Sequence, residues 1–430
     1  MKRILGVVLG ELSTGELVIA HSFAKGLNKN QYSMDFLIPE EKNVFFEKDS
    51  EFRVHTVSRN CGVTHNQRHI ISLIKSNDYD LIILFDAFTM EYAQHWTGIN
   101  MDVLKALDIP ISSLDEYDYI NAGYKLDYYG IFVKKLPDLL SEVDIILKNC
   151  PLSMPRGGQD LIKEAKKKGQ FYYQVIQEVR KLDKNVIFNI RKRYVKDDEK
   201  IVFLTLSKWE LEGAYSFTSQ STLCRYLLPL IYNYLSELDT KICLIHVGDS
   251  CWNESEFKNP QIRYIHYRSL PVDIFEELLQ SSDLFVTYNL VSITLTKAVD
   301  FRVPSIVLNN DKIIDFKILE KKCMEKPLWY QYMAKDLKKV YPFTASMFGW
   351  NHFLKGIMKD NIYMKSFERI QVFNTEQVNS TLKEILYGDL CDKMIHNINR
   401  FKRELSKIPN VNEALNNAFQ YLLKLDEKRG

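Results

Sequence analysis

The sequence lacks the features by which secreted, membrane-spanning and nucleic-acid-binding proteins are recognised. Its seven cysteines are scattered, odd in number and never arranged as C-x-x-C, which argues against a disulfide framework or a zinc knuckle and for reduced thiols in the cytoplasm. No stretch approaches the roughly 20 consecutive apolar residues of a membrane span, so any membrane contact is expected to be peripheral. The 57 basic and 55 acidic residues give a net charge of +2, which provides no field that attracts nucleic acid.

The remaining composition is that of an ordinary soluble protein, with 46% apolar and 26% charged residues. A chain of 430 residues is too long for one hydrophobic core and favours two domains. Lys2 and Arg3 precede an apolar run that ends before Glu11. This run is too short for a signal peptide, and we expect a first strand there.

The clearest pattern is a strand, helix, strand unit at residues 282–310. An apolar strand is predicted at 284–287, an amphipathic helix at 292–301 and a second apolar strand at 305–308. Asn289, Ser292 and Thr294 lie at the junction of the first strand and the helix. Open parallel sheets bind ligands at the carboxyl ends of their strands, and a helix N-terminus attracts phosphate. The alternative is that Ser292 is simply a helix N-cap.

Residues 1–160 form the predicted N-terminal domain. Strands are predicted at 3–9, 32–38, 52–57, 81–85, 109–112 and 143–148, with a first helix from about residue 17 and another at 66–76. The loop after the first strand contains Gly10, Ser13, Thr14 and Gly15. Asp86 and Asp115 follow two later strands. Because the carboxyl ends of parallel strands share one edge of a sheet, these acids are expected beside that loop.

The second half of the chain repeats the alternation of strands and helices. Residues 161–199 are rich in Lys and Arg and are predicted to be a basic interdomain connection; a solvated surface and a contact with a membrane or an acidic substrate are both open. Residues 200–370 form the predicted C-terminal domain, with further strands at 201–206, 242–247 and 262–266. Residues 371–430 are predicted to form three closing helices.

The segment SITLTKAVDFRVPSIVL, with its Ser/Thr-led helix and Val-Pro turn between strands, resembles the donor-nucleotide half of the two-domain GT-B glycosyltransferases. The loop at Gly10 is similar to the Gly-Ser/Thr-Gly-His loop of that superfamily, with Glu16 where a His often stands. The resemblance implies an α/β fold of two Rossmann-like domains with a C-terminal helical extension. The chain is closest in character to uncharacterised glycosyltransferase-like proteins of bacterial biosynthetic clusters.

The resemblance also implies a metal-independent enzyme without a bound cofactor. It would move a sugar from a nucleotide-sugar donor to a small-molecule or envelope acceptor. Such a reaction needs a base that takes the acceptor's proton, and Glu16 is the first candidate and Asp86 the second. To be an effective base near pH 7, Glu16 would need its pKa raised by burial or by a neighbouring negative charge, such as that of Asp86 or Asp115. The alternative for Glu16 is a first-turn residue favoured by the helix dipole.

The donor half departs from the superfamily's usual residues. Tyr288-Asn289-Leu290 stands where His-Gly-Gly is common, and Lys297 stands where a Glu usually holds the donor ribose. Lys297 cannot accept a hydrogen bond from a ribose hydroxyl. Its side chain could instead pair with phosphate or simply face solvent, and both alternatives are open. Ser207 and Lys208, at the end of a predicted strand, are further candidates for binding the diphosphate. The turn that contains Arg268 and Leu270 matches the position where the backbone of the superfamily usually contacts the nucleobase; the alternative is an ordinary strand-to-helix turn.

No metal site is predicted. Asp78-Tyr79-Asp80 spells D-x-D but precedes a strand, which is the wrong edge of the sheet, and His65 and His69 have no carboxylate motif beside them. The altered donor residues leave two alternatives open. One is a different GT-B enzyme, such as a sugar-nucleotide epimerase or hydrolase or one acting on another nucleotide-linked substrate, and the other is a non-catalytic partner subunit.

Overall fold

The computed structural model describes residues 1–10, 15–46, 51–116, 118–122, 136–156, 158–176, 181–196, 198–206, 211, 218–252, 257–310, 315–323, 326–340 and 358–429. The chain divides into two compact units. Unit 1 comprises residues 1–178, 356–361 and 404–430, and unit 2 comprises residues 179–355 and 362–403. The predicted domain boundaries remain predictions, but the basic stretch at 161–199 contributes to both units.

Unit 1 is built on a parallel sheet of seven strands in the order β3-β2-β1-β4-β5-β6-β7. The strands are β1 (Lys2–Val7), β2 (Tyr32–Pro39), β3 (Arg53–Val57), β4 (Leu81–Leu84), β5 (Ile111–Leu114), β6 (Ile145–Cys150) and β7 (Gln170–Gln174). The helices are α1 (Gly15–Lys25), α2 (Val63–Lys75), α3 (Ala87–Tyr92), α4 (Gln94–Thr97), α5 (Met101–Lys105), α6 (Tyr119–Ala122), α7 (Leu136–Ser141) and α8 (Gly158–Lys167).

Unit 2 repeats the plan with a parallel six-stranded sheet in the order β10-β9-β8-β11-β12-β13. The strands are β8 (Lys200–Leu206), β9 (Ile242–Gly248), β10 (Ile262–Tyr267), β11 (Leu284–Thr287), β12 (Ser305–Asn309) and β13 (Glu368–Gln371). The helices are α9 (Lys184–Tyr194), α10 (Thr218–Ser236), α11 (Val272–Gln280), α12 (Ile293–Phe301), α13 (Phe316–Cys323), α14 (Leu328–Val340), α15 (Thr375–Tyr387) and α16 (Leu390–Leu405).

The last helix of the chain, α17 (Val411–Arg429), belongs to unit 1 rather than to the unit that precedes it in sequence. Its Asn416 accepts a hydrogen bond from the Tyr32 hydroxyl at the start of β2 at 2.5 Å. Asn412 binds the backbone of the turn after α1, with its Nδ2 at 2.7 Å from the Gly26 oxygen. The C-terminus thus completes the first unit.

Apolar strands covered on both faces hold each unit together. In unit 1 the central strands β1 and β4 are buried almost throughout, and α1 packs onto one face through Phe23. The Phe23 ring lies edge-on to Phe85 and Tyr173, with centroids 5.6 and 5.3 Å away. Aromatic pairs at these separations add to the stabilisation from burial, and this contact fixes α1 over the carboxyl ends of β4 and β7.

The predicted α/β architecture of two Rossmann-like units with closing helices is confirmed, but two strands are absent from the prediction. β7 reads QFYYQ and follows a run of lysines, so the charge of its surroundings hides its apolar centre. β13 reads ERIQ and is an edge strand with one buried residue, Ile370, which leaves little apolar pattern to detect. Among the described residues, no helix combines the length and the apolar character needed to cross a membrane.

Candidate functional site

Three acidic residues of unit 1 lie at the carboxyl edge of its sheet, as predicted from the strand pattern. Asp86 directly follows β4, and Asp115 directly follows β5. Gly10 follows β1 and lies against α3, since a Cβ atom on it would be 3.1 Å from Thr89 Oγ1. Glu16 is in the first turn of α1. The loops after β1, β4 and β5 therefore meet at one edge.

Asp86 has the most unusual electrostatics of this edge. Its carboxylate caps α3 and accepts the N–H groups of Phe88 and Thr89 at 2.7 and 3.3 Å. Burial, followed by the negative charge of Glu16, raises the pKa of Asp86 to about 7, although the two N–H groups oppose the shift. A carboxyl group with this pKa exchanges a proton readily near neutral pH.

The two acids that the sequence offers as the base are neighbours at this edge. Which of them is the base stays a prediction; the raised pKa is that of Asp86, and the charge of Glu16 contributes to it. The physical reason is position. Asp86 terminates a central strand whose four residues are all buried, while Glu16 occupies the solvent-accessible first turn of a helix.

Asp115 is wholly buried, and both of its oxygens are engaged inside unit 1. Oδ1 accepts the Tyr119 N–H at 2.7 Å, and Oδ2 accepts from the Lys148 Nζ at 3.2 Å. Lys148 is also wholly buried and forms a second ion pair with Asp118. Burial alone would lower the pKa of Lys148, but the charges of Asp115 and Asp118 outweigh it and raise this pKa. The network fixes the loop after β5, which carries Glu116 and Tyr119.

In unit 2, the connection from β11 to α12 is ordered by its own polar side chains. Ser292 Oγ accepts the Thr294 N–H at 3.1 Å, so Ser292 is the helix N-cap that the sequence left as an alternative. Asn289 Oδ1 accepts the Val291 N–H at 3.0 Å, and the Asn289 N–H donates to Thr287 Oγ1 at 3.0 Å. The loop is thereby held at the carboxyl edge of the sheet, where a phosphate-bearing ligand is favoured.

Lys297 forms an ion pair inside unit 2. Its Nζ lies 2.5 Å from Glu276 Oε1 of α11, and both side chains are mostly buried, at 13% and 22% exposure. Lys297 therefore does not project into solvent, while its pairing with phosphate stays a prediction. The ion pair places the Glu276 carboxylate beside the position where the resemblance places a ribose-binding Glu. No pattern in the sequence pairs these two residues, because their contact depends on how α11 packs on α12.

The strand ends of β9 and β10 complete the edge of unit 2. Arg268 follows β10 and is largely exposed, with its Nε 3.0 Å from Asp249 Oδ1. Leu270 is partly exposed just before α11. Gly248 ends β9 with a φ of +134°, and a Cβ atom there would be 1.9 Å from the Leu206 oxygen. Glycine is therefore required where β8 and β9 close together.

Four predicted residues, Ser13, Thr14, Ser207 and Lys208, lie outside the described part of the chain. Asp80 lies at the amino edge of the unit 1 sheet, paired with the Lys2 side chain and the Arg3 N–H. Within the described ranges, no group of three or more His, Cys, Asp and Glu residues is arranged to hold a metal ion.

A family model described as a family of unknown function, DUF6365, matches residues 23–426. The chain belongs to the DUF6365 family. No curated protein matches it.

Solved structures share the fold at low sequence identity. The glycosyltransferase VinC in complex with dTDP is 13% identical, with a TM-score of 0.55 over 98% of this chain and 100% of VinC. UGT89C1 of Arabidopsis thaliana, complexed with UDP, is 8% identical, with a TM-score of 0.57 over 99% of both chains. A putative UDP-N-acetylglucosamine 2-epimerase from Listeria monocytogenes is 11% identical, with a TM-score of 0.53 over 93% of this chain and 94% of that chain. The fold of this DUF6365 member is that of the GT-B proteins.

Proposed function

We propose that this protein transfers a sugar from a nucleotide-activated donor to a hydroxyl-bearing acceptor without a metal ion. The observation that carries the proposal is the Asp86 carboxyl group, which has a pKa of about 7 beside Glu16 at the ligand-binding edge of a Rossmann-like sheet. A general base is most effective when its pKa is near the working pH. Perturbed carboxyl groups of this kind are concentrated at functional sites.

In the proposed reaction, ionised Asp86 accepts the proton of the acceptor hydroxyl as its oxygen attacks the anomeric carbon. The glycosidic bond forms while the bond to the nucleoside diphosphate breaks, and the diphosphate leaves with the electron pair. Glu16 keeps Asp86 basic by its negative charge. Gly10, Ser13, Thr14 and Gly15 are proposed to contact the acceptor, and Asp115 to position the adjoining loop.

Unit 2 is the proposed donor-binding half. The N-terminus of α12, capped by Ser292, would stabilise the leaving diphosphate through its N–H groups and dipole, together with Ser207 and Lys208. We propose that the Glu276 carboxylate, held by Lys297, accepts hydrogen bonds from the ribose hydroxyl groups. It would thereby replace the Glu that the superfamily usually has at position 297. Arg268 and Leu270 flank the proposed nucleobase position. UDP and dTDP, bound by UGT89C1 and VinC respectively, are the first nucleotides to test.

Calorimetric titration of the protein with UDP, dTDP, GDP and CMP, all in EDTA, tests this half of the proposal. One nucleotide is expected to bind and to stabilise the fold by about 2.7 kcal/mol at 100 times its Kd. Glu276→Gln is expected to weaken that binding about tenfold, since a charged acceptor of two hydroxyl groups becomes a neutral amide. Glu320→Gln, on the exposed surface of α13, is the matched control and should bind as the wild type does. Absence of binding by all four nucleotides would reject the proposal.

The second candidate is an epimerase acting on a nucleotide sugar. Two neighbouring carboxyl groups, one of which holds its proton near neutral pH, also suit the addition and removal of a proton on a sugar ring. The fold likeness to a putative epimerase is consistent with it. Acceptor dependence separates the two, because an epimerase converts the nucleotide sugar alone and releases no stoichiometric diphosphate.

A further inference from the structure

The basic stretch at residues 161–199 contains two helices that differ in how their cations are neutralised. In α8, Lys163 lies 3.5 Å from the Asp160 carboxylate and Lys167 lies 2.6 Å from that of Glu164, each three residues away on the same helix. α9 contains no Asp or Glu, so its cations have no acidic neighbour within the helix. The interpretation of this stretch as a solvated surface therefore fits α8, and α9 needs a separate explanation.

The inner side of α9 is held to unit 2 by burial and by an arginine. Ile190 is only 5% exposed. Arg191 Nη1 donates to the Ser281 oxygen, just after α11, at 2.7 Å, and its Nη2 donates to Asp283 Oδ2 at 2.9 Å. The helix is thus fixed by one side, and its other side is not an incomplete part of the core.

The outer side of α9 presents an aromatic ring among cations. Lys184, Phe188 and Lys192 recur at intervals of four residues and therefore lie in one row along the helix. All three are exposed, as is Arg193. Phe188 is 56% exposed, and the Lys192 Nζ lies 4.4 Å from the centre of its ring. These four residues are here called the basic face.

The described acidic residues that flank α9 do not neutralise the basic face. Beyond the helix, Asp198 pairs with Lys241 at 2.6 Å, and Glu199 pairs with Arg263 at 2.6 Å. Asp183, at the N-cap, is a single acid, so the basic face keeps a net positive charge when it is included. The chain as a whole has a net charge of only +2, so this concentration of cations is local.

A positive face that exposes an aromatic ring suits the surface of an anionic lipid bilayer. The headgroups of such a bilayer attract each Lys or Arg side chain close to the surface, and an aromatic ring inserts at the boundary between headgroups and acyl chains. The apolar stems of Lys184 and Lys192 add to the apolar area while their ammonium groups stay in water. Single-stranded nucleic acid is bound instead in a positively charged groove that stacks successive bases on several aromatic rings. The basic face is the convex side of a helix and has one ring, so it fits the bilayer better.

We propose that the basic face of α9 docks the protein on a membrane surface that contains anionic phospholipids. In the docked state Phe188 lies at the level of the headgroups, and Lys184, Lys192 and Arg193 contact lipid phosphate groups. Because few charges take part and one ring is inserted, docking is expected to be reversible and to weaken as the salt concentration rises. The inference is independent of the proposed sugar transfer, since none of the residues assigned to the acceptor, the donor or the base lies on α9.

Co-sedimentation of the full chain with lipid vesicles, at low salt, tests the inference. Vesicles that mix phosphatidylcholine with phosphatidylglycerol are expected to bind the protein about tenfold or more tightly than vesicles of phosphatidylcholine alone. The double variant Lys184→Gln, Lys192→Gln removes two cations, and each removal should weaken binding to the anionic vesicles about fivefold. Phe188→Ala removes the ring and should weaken the same binding about tenfold.

Two variants of α14 are the matched controls. Lys338→Gln together with Lys339→Gln removes the same charge from side chains that are 58% and 64% exposed but paired with Glu320 and Asp336. Leu328→Ala shortens an apolar side chain on a residue that is 59% exposed. Both variants should bind the anionic vesicles as the wild type does.

Equal binding to the two kinds of vesicle, or no binding to either, would overturn the inference. Binding that is unchanged in Phe188→Ala would also overturn it, as would losses of the same size in the α14 controls. A single-stranded oligonucleotide that binds the wild type but not the double lysine variant, without any vesicle binding, would assign the basic face to nucleic acid instead. Each of these results would reject only the docking, because the proposed transfer is tested separately by nucleotide binding.

Discussion

Replacing Asp86 by Asn is expected to stabilise the protein, and to do so more as the pH rises. Asp86 has a folded-state pKa of about 7 and an ordinary value of 3.8. Because this pKa is raised, the folded protein holds the proton more tightly than the unfolded chain does. The penalty of ionising Asp86 is absent below pH 3.8, grows between the two pKa values, and is constant above pH 7.

The magnitude follows from the same two pKa values. Each unit of difference corresponds to about 1.4 kcal/mol, so the ionised carboxylate costs about 4 kcal/mol at pH 8 and about 2 kcal/mol at pH 5. Asn is neutral at both values and caps a helix about as well as Asp, so the hydrogen bonds to Phe88 and Thr89 are preserved. Asp86→Asn should therefore gain about 2 kcal/mol more stability at pH 8 than at pH 5.

Urea denaturation of both proteins at pH 5 and pH 8 measures this difference. Asp80→Asn is the control of opposite sign. Burial alone would raise the pKa of Asp80, but hydrogen bonds from the Lys2 side chain and the Arg3 N–H lower it, so its ionised form stabilises the fold and is lost as the pH falls. Asp80→Asn should cost stability, and more at pH 8 than at low pH. A stability gain for Asp86→Asn that does not depend on pH would refute the assignment of a raised pKa.

Substitutions at Ser292, Lys148 and Gly248 test the framework around the candidate sites. Ser292→Ala should cost about 1 kcal/mol in urea denaturation and Ser292→Asp little, because the side chain caps α12. Lys148→Met leaves two carboxylates without their buried partner and should cost about 3–5 kcal/mol of stability. Lys167→Met, the control in an exposed ion pair, should change stability by less than about 1 kcal/mol. Equal costs for the two substitutions would contradict the buried network. Gly248→Ala should lower the melting temperature sharply, since its Cβ atom would be 1.9 Å from the Leu206 oxygen, and an unchanged melting temperature would contradict this close approach.

Much of the fold could be predicted from periodicity, because buried parallel strands are short apolar runs whose ends are marked by polar residues. The strand predicted at 284–287 matches β11, and the predicted helix at 292–301 differs from α12 only by the N-cap, Ser292. Periodicity does not predict β7 or β13, and the reasons differ. The first is flanked by lysines that suggest a linker, and the second lies at a sheet edge with one buried side chain.

The candidate site could be predicted only in part. Asp86 and Asp115 each directly follow a strand of a parallel sheet, so the sequence predicts both at the carboxyl edge of that sheet. Which carboxyl group has the raised pKa depends on burial and on the neighbouring charge, and neither is visible in the order of residues. The Glu276–Lys297 pair likewise depends on a contact between separate elements, α11 and α12. Lys148 within an apolar strand was a signal of a buried ion pair, since a buried lysine needs a partner.

Acceptor-dependent release of nucleoside diphosphate tests the central claim most directly. The protein would be incubated in EDTA with a nucleotide sugar whose nucleotide it binds, with and without a panel of hydroxyl-bearing acceptors, from pH 5 to pH 9. We expect release only when the acceptor is present, and the rate of the wild-type protein should rise as the pH approaches 7. The rate of Asp86→Asn should be lower than that of the wild type by 100-fold or more. Conversion of the nucleotide sugar without acceptor, or an undiminished rate in Asp86→Asn, would contradict sugar transfer with Asp86 as the base.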